Sequence, residues 1–242
     1  MNKFLLEQEF ESVRNMGWVK SLRNGTTGVG YTFEKLLGLQ ENSLAFPDFY
    51  NIEIKTHRKF SKSFICLFSC DPKGNNSYEI KHIYDNYGYF SNKDKNKKVL
   101  NTSLFCNRKK RVGDYFFYLK IDRYVNKLCL HIYNKNGDLL EKSSFWSFNI
   151  LQEKLYNKLE YLAYITAENK FVDGIEFFKY THIYFYKLKS FNTFLDLLEQ
   201  QKICISFKVG GNINLNFPWQ IDNHGTSFSI RSNDLKLLYS SF

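Results

Sequence analysis

The chain has 242 residues, 43% of them hydrophobic, with 24 Phe and 17 Tyr but only 3 Pro; this excludes a disordered tail and a linker-rich array, and leaves one large domain or two small lobes. Lys and Arg number 34 against 24 Asp and Glu, a formal net charge of +10, which calls for an anionic partner, nucleic acid first and an anionic membrane surface second, unless it only reflects an A+T-rich genome that inflates Lys, Asn, Ile, Phe and Tyr. The cysteines, Cys66, Cys70, Cys106, Cys129 and Cys204, form no paired CxxC set and sit mostly among apolar residues, which argues against zinc and for buried thiols in a reducing compartment.

Residues 2–17 repeat apolar positions at helical spacing and close on Gly17, which predicts a helix with a glycine cap. In "RNGTTGVGYTFEKLLG" the glycines Gly25, Gly28 and Gly30 predict a close-approach loop, with Thr32 capping a short helix over 33–37 that Gly38 ends. No strand precedes these glycines and no Lys-Ser/Thr follows, which argues against a phosphate loop. "NIEIKTH", "SFICLFSC", "DYFFYLKID" and "KLCLHIYN" read as strands, and "NKNGD" as a turn pairing with "LLEKSSFWSF" in a hairpin. The basic run 91–100, "SNKDKNKKVL", reads as a surface loop for most of its lysines, with a DNA-backbone contact as the competing reading. "NILQEKLYNKLEYLAYITAENK" predicts a helix and then a short buried strand. "FNTFLDLLEQQK" predicts a second amphipathic helix, "KICISFKVGG" a strand ending in a double glycine, and "IDNHGTSFSIR" a loop running into a strand. No leader segment opens the chain and no apolar run reaches the length of a membrane span, which predicts a cytoplasmic protein with no membrane partner.

The chemistry concentrates in "PDFYNIEIKTH". Alternation along a strand puts Ile52 and Ile54 on one face and Glu53 and Lys55 on the other. Pro47 favours a turn that swings Asp48 toward Glu53. Two hard oxygen donors at a strand end are a donor set for Mg²⁺, completed by carbonyl, water and phosphate oxygens. Lys55 beside them can hold an attacking water and stabilise charge on a phosphate, and Glu34 on the preceding helix offers a third carboxylate. That grouping serves phosphodiester hydrolysis; the competing reading is a surface strand with salt-bridged charges. His224, between Asn223 and Gly225, lies off any apolar pattern and reads as a base or phosphate contact. Arg108, Lys109, Lys110 and Arg111 form the densest basic run, a phosphate clamp in a duplex binder and a solvated loop otherwise. His57 either touches DNA near the site or solvates the strand end. His131, Trp18 and Trp146 read as structural.

"GTTGVGYTFEKLLG" with "FPDFYNIEIKTH", then "CNRKKR", "DYFFYLKID", "KVGG" and "DNHGTSFSI" in the same order, resemble the MvaI/BcnI-type restriction endonucleases, a branch close to the MutH-like nucleases. The resemblance covers most of the chain. It implies an α/β fold of the PD-(D/E)XK type, a mixed central sheet flanked by helices, with a strand-rich DNA-recognition lobe. The catalytic lobe is expected mainly from 1–90 and 145–180, the recognition lobe mainly from 91–144 and 181–242. Asp48, Glu53 and Lys55 fall on the family's catalytic triad, with Asp48 and Glu53 as metal ligands, and Glu34 on its helical supporting glutamate. Residues 222–225, with Asp222, Asn223 and His224, fall on the loop that reads bases in the major groove; Lys208 falls near a basic residue used in recognition, and Thr226 belongs to the "HGTSF" block. The pattern departs at Asp222, where relatives often have His, and at Ser229, where a basic residue is usual; Arg231 is the nearest basic residue on that face. Such changes alter the target sequence rather than the chemistry. The expectation is a Mg²⁺-dependent type II restriction endonuclease that acts on double-stranded DNA as a monomer, nicking the strands sequentially, with a cognate methyltransferase as its genetic partner in a bacterial cytoplasm. The alternatives are a MutH-like nickase and an inactive DNA-binding protein.

Overall fold

The computed structural model describes residues 2–39, 47–212 and 221–242. It opens with α1 (Asn2–Asn15), whose Leu6, Phe10 and Val13 recur at helical spacing and are buried. Gly17 turns the chain at φ +68° into β1 (Val19–Lys20) and then α2 (Gly28–Leu36). Here the structure corrects the expected glycine loop. Gly28 and Gly30 lie inside the helix, and Thr32 caps nothing; it is buried, and its Oγ1 accepts the Leu22 N–H at 3.0 Å. Close approach is the reason for glycine: a Cβ on Gly30 would stand 3.1 Å from Thr56 Oγ1.

The expected strands follow as β2 (Ile52–Arg58) and β3 (Phe64–Ser69), then α3 (Glu79–Tyr87) and β4 (Tyr89–Phe90), which the sequence pattern did not mark. The second half of the basic run is not loop but the start of β5 (Lys97–Leu104). Next come β6 (Lys110–Val112), β7 (Tyr115–Asp122), β8 (Lys127–Tyr133), β9 (Leu139–Glu141) and β10 (Phe145–Ser147). After α4 (Phe148–Leu159), the strand expected to be short is β11 (Tyr161–Val172), twelve residues long, and it turns through Asp173 and Gly174, both at positive φ, into β12 (Ile175–Leu188). The chain ends with α5 (Phe191–Glu199), β13 (Ile203–Asn212), β14 (Asp222–Asn223), β15 (Ser227–Arg231), a 3-10 turn (Ser232–Asp234), α6 (Leu235–Leu238) and β16 (Tyr239–Ser241).

The chain divides into two compact units: Met1–Ile65 with Lys154–Ser190 and Leu235–Phe242, and Cys66–Glu153 with Phe191–Asp234. These boundaries differ from the expected lobe limits at 90, 145 and 180. β12 carries the first unit past 180 because it runs unbroken to Leu188 and pairs with both β11 and β16. In the first unit one sheet has the order β1-β12-β11-β2, with β16 on β12; β11 and β2 are parallel and the other pairs antiparallel. One face of this mixed sheet packs on α1 and α2 through Leu6, Phe10, Val29, Phe33, Ile52, Ile54, Ile165 and Phe178. Burial of each such side chain contributes about 1.5–3 kcal/mol.

The second unit has a six-stranded sheet, β3-β15-β13-β5-β4 with β14 on β13, and a five-stranded one, β10-β8-β7-β6 with β9 on β8. Aromatic side chains join them: Trp146 lies 6.3 Å from Phe207 and 5.9 Å from Phe228, and Phe117 meets Phe207 edge-on at 6.4 Å. Trp146 is thus core, as expected, but Trp18 is not; it is exposed beneath the Lys170 ammonium. Cys106 and Cys204 are buried, whereas Cys66 is exposed, because the alternation of β3 turns it outward.

Candidate active site and nucleic-acid interface

Among the described residues β2 is the end strand of its sheet, and a tight hairpin leads into it. Phe49 and Ile52 exchange both backbone hydrogen bonds, at 3.0 and 2.8 Å, around Tyr50 and Asn51, with Tyr50 at φ +54°. A two-residue turn sets Asp48 opposite Glu53, which is why four residues separate the carboxylates. Asp48 Oδ2 accepts the Ile54 N–H at 3.1 Å. The N–H and C=O of one strand residue point the same way, so the Ile54 carbonyl faces the same open edge as Asp48.

Alternation sends Ile52 and Ile54 into the α1–α2 core and Glu53, Lys55 and His57 to the other face, beside Leu162, Tyr164 and Thr166 of β11. That second face is also covered: Glu53 is 0% exposed. Its Oε1 accepts from Lys55 Nζ at 2.5 Å and lies 3.4 Å from Lys158 Nζ on α4. Its Oε2 is buried with no hydrogen-bond partner among the described residues. Burial pushes the Glu53 carboxyl above the usual carboxylate range; Lys55 opposes the rise, Asp48 adds to it and Lys158 opposes it again. The buried Tyr239 hydroxyl also has no partner, and burial, with the Glu53 charge behind it, raises its pKa. Neither Lys158 nor Tyr239 had a signal in the sequence. They reach Glu53 only because β11 runs parallel to β2, which brings the end of α4 alongside, and because β16 returns to β12.

A buried anionic oxygen without a partner, next to a second carboxylate on an open strand edge, fits a hard divalent cation such as Mg²⁺. Asp48 and Glu53 would supply carboxylate oxygens, leaving the rest of the shell to carbonyl, water and phosphate. Among the described residues no three His, Cys, Asp or Glu side chains gather closely enough to hold a metal. Glu34 is thus not gathered with Asp48 and Glu53 in this structure. Its Oε1 stands beside Gly30 with Thr56 Oγ1, on the α2 side of β2, away from the Glu53 face. His57 is an interior residue, 6% exposed, with Nε2 3.0 Å from Ser63 Oγ, and burial lowers its pKa.

In the second unit, Lys208, Asp222 and His224 come together. β14 pairs with β13 so that Asn223 lies opposite Val209 and Asp222 opposite Gly210, and the His224 N–H donates to the Lys208 carbonyl at 3.0 Å. The side chains of His224 and Asp222, 67% and 69% exposed, pair at 3.2 Å. Asn223 turns inward instead, and Thr226 is fully buried with its Oγ1 unpartnered. Arg231 sits at the far end of β15, five residues from Thr226, about 16 Å away at strand rise. Arg108 is exposed and Lys109 lies 4.1 Å over the Tyr133 ring, so the basic run is partly committed to its own hairpin. Lys110 Nζ donates to the carbonyl of Ser103, whose partner on β13, Ser206, is two residues from Lys208.

A model of the MvaI/BcnI restriction endonuclease family matches residues 7–239 of the chain. Among solved structures the chain is similar to a restriction endonuclease MvaI–cognate DNA substrate complex, at 29% identity over 98% of this chain and 96% of that one, with a TM-score of 0.88. It is also similar to restriction endonuclease MvaI in the absence of DNA, at 28% identity over 100% and 96%, with a TM-score of 0.65. No curated protein matches the chain.

Proposed function

The chain belongs to the MvaI/BcnI restriction endonuclease family and is a site-specific DNA endonuclease, and we propose that it is a Mg²⁺-dependent type II enzyme that cuts double-stranded DNA as a monomer, one strand after the other. The observation that carries the catalytic part is the Glu53 carboxylate. It is buried with one oxygen unpartnered, it has Asp48 opposite, and it has Lys55 on its own face. Mg²⁺ held by Asp48 and Glu53 would supply an acidified water and offset charge on the phosphate. Lys55 orients the water for attack at phosphorus and stabilises the charge that builds on the non-bridging oxygens. Glu34 supports β2 from the α2 side as a positioning carboxylate. His224, Asp222 and Lys208 form the base-reading face; His can donate to guanine acceptors and Asp accepts from cytosine N4. The run from Arg108 to Arg111 provides sequence-independent phosphate contacts. No helix among the described residues is long and apolar enough to cross a membrane. A bacterial cytoplasm, with a methyltransferase protecting the host sites, suits this activity.

The test is purified protein on supercoiled plasmid and phage DNA, with Mg²⁺ or EDTA, beside Glu53→Ala. Discrete fragments that require Mg²⁺ and vanish in the variant support the reading. One site per monomer further requires nicked circles to appear first and then convert to linear DNA. Nicked circles that persist would replace it with a strand-nicking enzyme. Binding without cleavage on several unmethylated DNAs would overturn it.

A further inference from the structure

We propose that Asp71, in the segment after β3, positions the base-reading loop 222–225 and thereby sets sequence discrimination; this deepens the endonuclease reading and rests on it. Both carboxylate oxygens of Asp71 hold the loop. Oδ2 accepts from Asn223 Nδ2 at 2.7 Å, and Oδ1 accepts the Thr226 N–H at 2.8 Å. Asn223 Oδ1 in turn accepts the Gly225 N–H at 2.9 Å, and the Cys70 N–H donates to the Thr226 carbonyl at 2.8 Å. Gly225 takes φ +80°, which lets the chain close this short circuit. The consequence is directional. Asn223 and Thr226 point inward, and Asp222 and His224 are left outward as an exposed pair.

Asp71 is itself fixed. Trp146 Nε1 donates to the Cys70 carbonyl at 2.8 Å. Lys73 and Phe145 exchange both backbone hydrogen bonds, at 2.8 and 2.7 Å. The buried Glu79 carboxylate accepts the Asn76 N–H at 3.1 Å and the Ser144 hydroxyl at 2.5 Å. The anchors continue from the aromatic core, through residues 70–76 and Asp71, to the loop tip. Hydrogen bonds to a carboxylate are about twice as strong as neutral ones. A reading loop held this way meets the groove already ordered, so the wrong base cannot be accommodated by a small shift of the loop. Asp71 is a positioning residue in this scheme: its oxygens are engaged within the protein.

The experiment compares wild type, Asp71→Asn, Asn223→Asp and the double variant D71N/N223D. D71N alone sets two amide donors against each other. The double variant exchanges acceptor and donor, so all three hydrogen bonds and the net charge are kept. We measure kcat/KM on the cognate site and on sites with one base pair changed, together with binding to unrelated duplex and thermal melting. D71N is expected to lose about 10- to 100-fold in cognate kcat/KM, the equivalent of one charge-assisted bond lost. Its ratio of cognate to altered-site cutting should fall, while binding to unrelated duplex stays within about twofold. The double variant should return to within about threefold of wild type, which a general loss of packing would not allow. A D71N enzyme with wild-type rate and discrimination overturns the proposal. So does a double variant no better than D71N, whether or not D71N folds well. Either result beside an active wild type sinks this proposal alone; a wild type that cuts no DNA sinks the endonuclease reading and this proposal together.

Discussion

Glu53→Gln keeps the shape of the side chain and removes its charge, so it separates what the site needs for catalysis from what the fold tolerates. Glu53 Oε2 is buried without a partner, and leaving a buried polar atom unsatisfied costs about 1–3 kcal/mol, more when it carries charge. The cations that offset this cost do not depend on Glu53 for solvation: the Lys55 and Lys158 side chains are 24% and 27% exposed. The variant retains an oxygen for Lys55. It should therefore gain about 1–2 kcal/mol at pH 8, which raises Tm by about 2–8 °C for a chain of this size. The pH dependence has a definite sign. The folded carboxyl titrates above its unfolded value of 4.5, so its contribution is fully present below that pH and is lost as pH rises through the folded value. The gap between variant and wild type should open above pH 4.5 and then level off. Cleavage should fall at least about 100-fold. Mg²⁺ should raise the Tm of the wild type only, by the equivalent of about 2.7 kcal/mol at 100 times its Kd. Melting curves from pH 4 to 8 in EDTA, repeated with Mg²⁺, check all of this. A variant that melts at or below wild type at pH 8, or a gap independent of pH, would refute the reasoning.

Lys55→Ala should lower single-turnover cleavage by about 100-fold or more, whereas Lys158→Ala, whose ammonium is 3.4 Å from Glu53 rather than 2.5 Å, should lower it less than about tenfold; equal losses would place Lys158 at the reacting atoms. Burial lowers the pKa of His57, so the folded state resists protonation and stability is lost as pH falls below the unfolded value of 6.5. His57→Gln should flatten the decline between pH 7 and 5 in urea titrations, with no loss of DNA binding. Trp146→Phe removes the bond to the Cys70 carbonyl and should cost about 1–3 kcal/mol, seen as a lower urea midpoint at unchanged m.

The geometry of β2 was legible because its constraints are local. Alternation fixed the faces of Ile52, Glu53, Ile54 and Lys55, and the short spacer fixed Asp48 opposite Glu53. The full burial of Glu53 was not legible, since its cover comes from Lys158, Leu162 and Tyr239, which only the sheet pairing assembles. The longest hairpin was missed for another reason. "DG" at Asp173 and Gly174 is a strong turn signal, but β12 carries aromatic residues on both faces, with Phe178 and Tyr180 in the core and His182 and Tyr184 stacked at 6.0 Å on the other side, so no period stands out. In the loop 222–225 the sequence marked a polar segment but not the direction of each side chain. Asn223 and Thr226 are as polar as Asp222 and His224, and only Asp71, far away in the chain, decides which pair turns inward.

The orphaned oxygens allow a sharper separation between structure and function. Glu53 Oε2 and Thr226 Oγ1 are both buried and unpartnered. One sits opposite a second carboxylate on an open strand edge; the other lies behind a loop whose remaining polar groups bond to each other. A charged oxygen next to a like charge needs a cation, whereas a lone hydroxyl needs nothing but removal. Thr226→Val is nearly isosteric, and Thr226 bonds to its neighbours through its backbone, N–H to Asp71 and carbonyl to Cys70. The variant should be more stable by about 1 kcal/mol and should cut the same sequence at the wild-type rate. Glu53→Gln should match it in stability and lose cleavage. Fragment patterns on phage DNA, read beside the melting temperatures, decide the matter. A T226V enzyme with a changed target sequence would mean that the Thr226 hydroxyl meets the DNA, and that the inward geometry of the loop opens on binding.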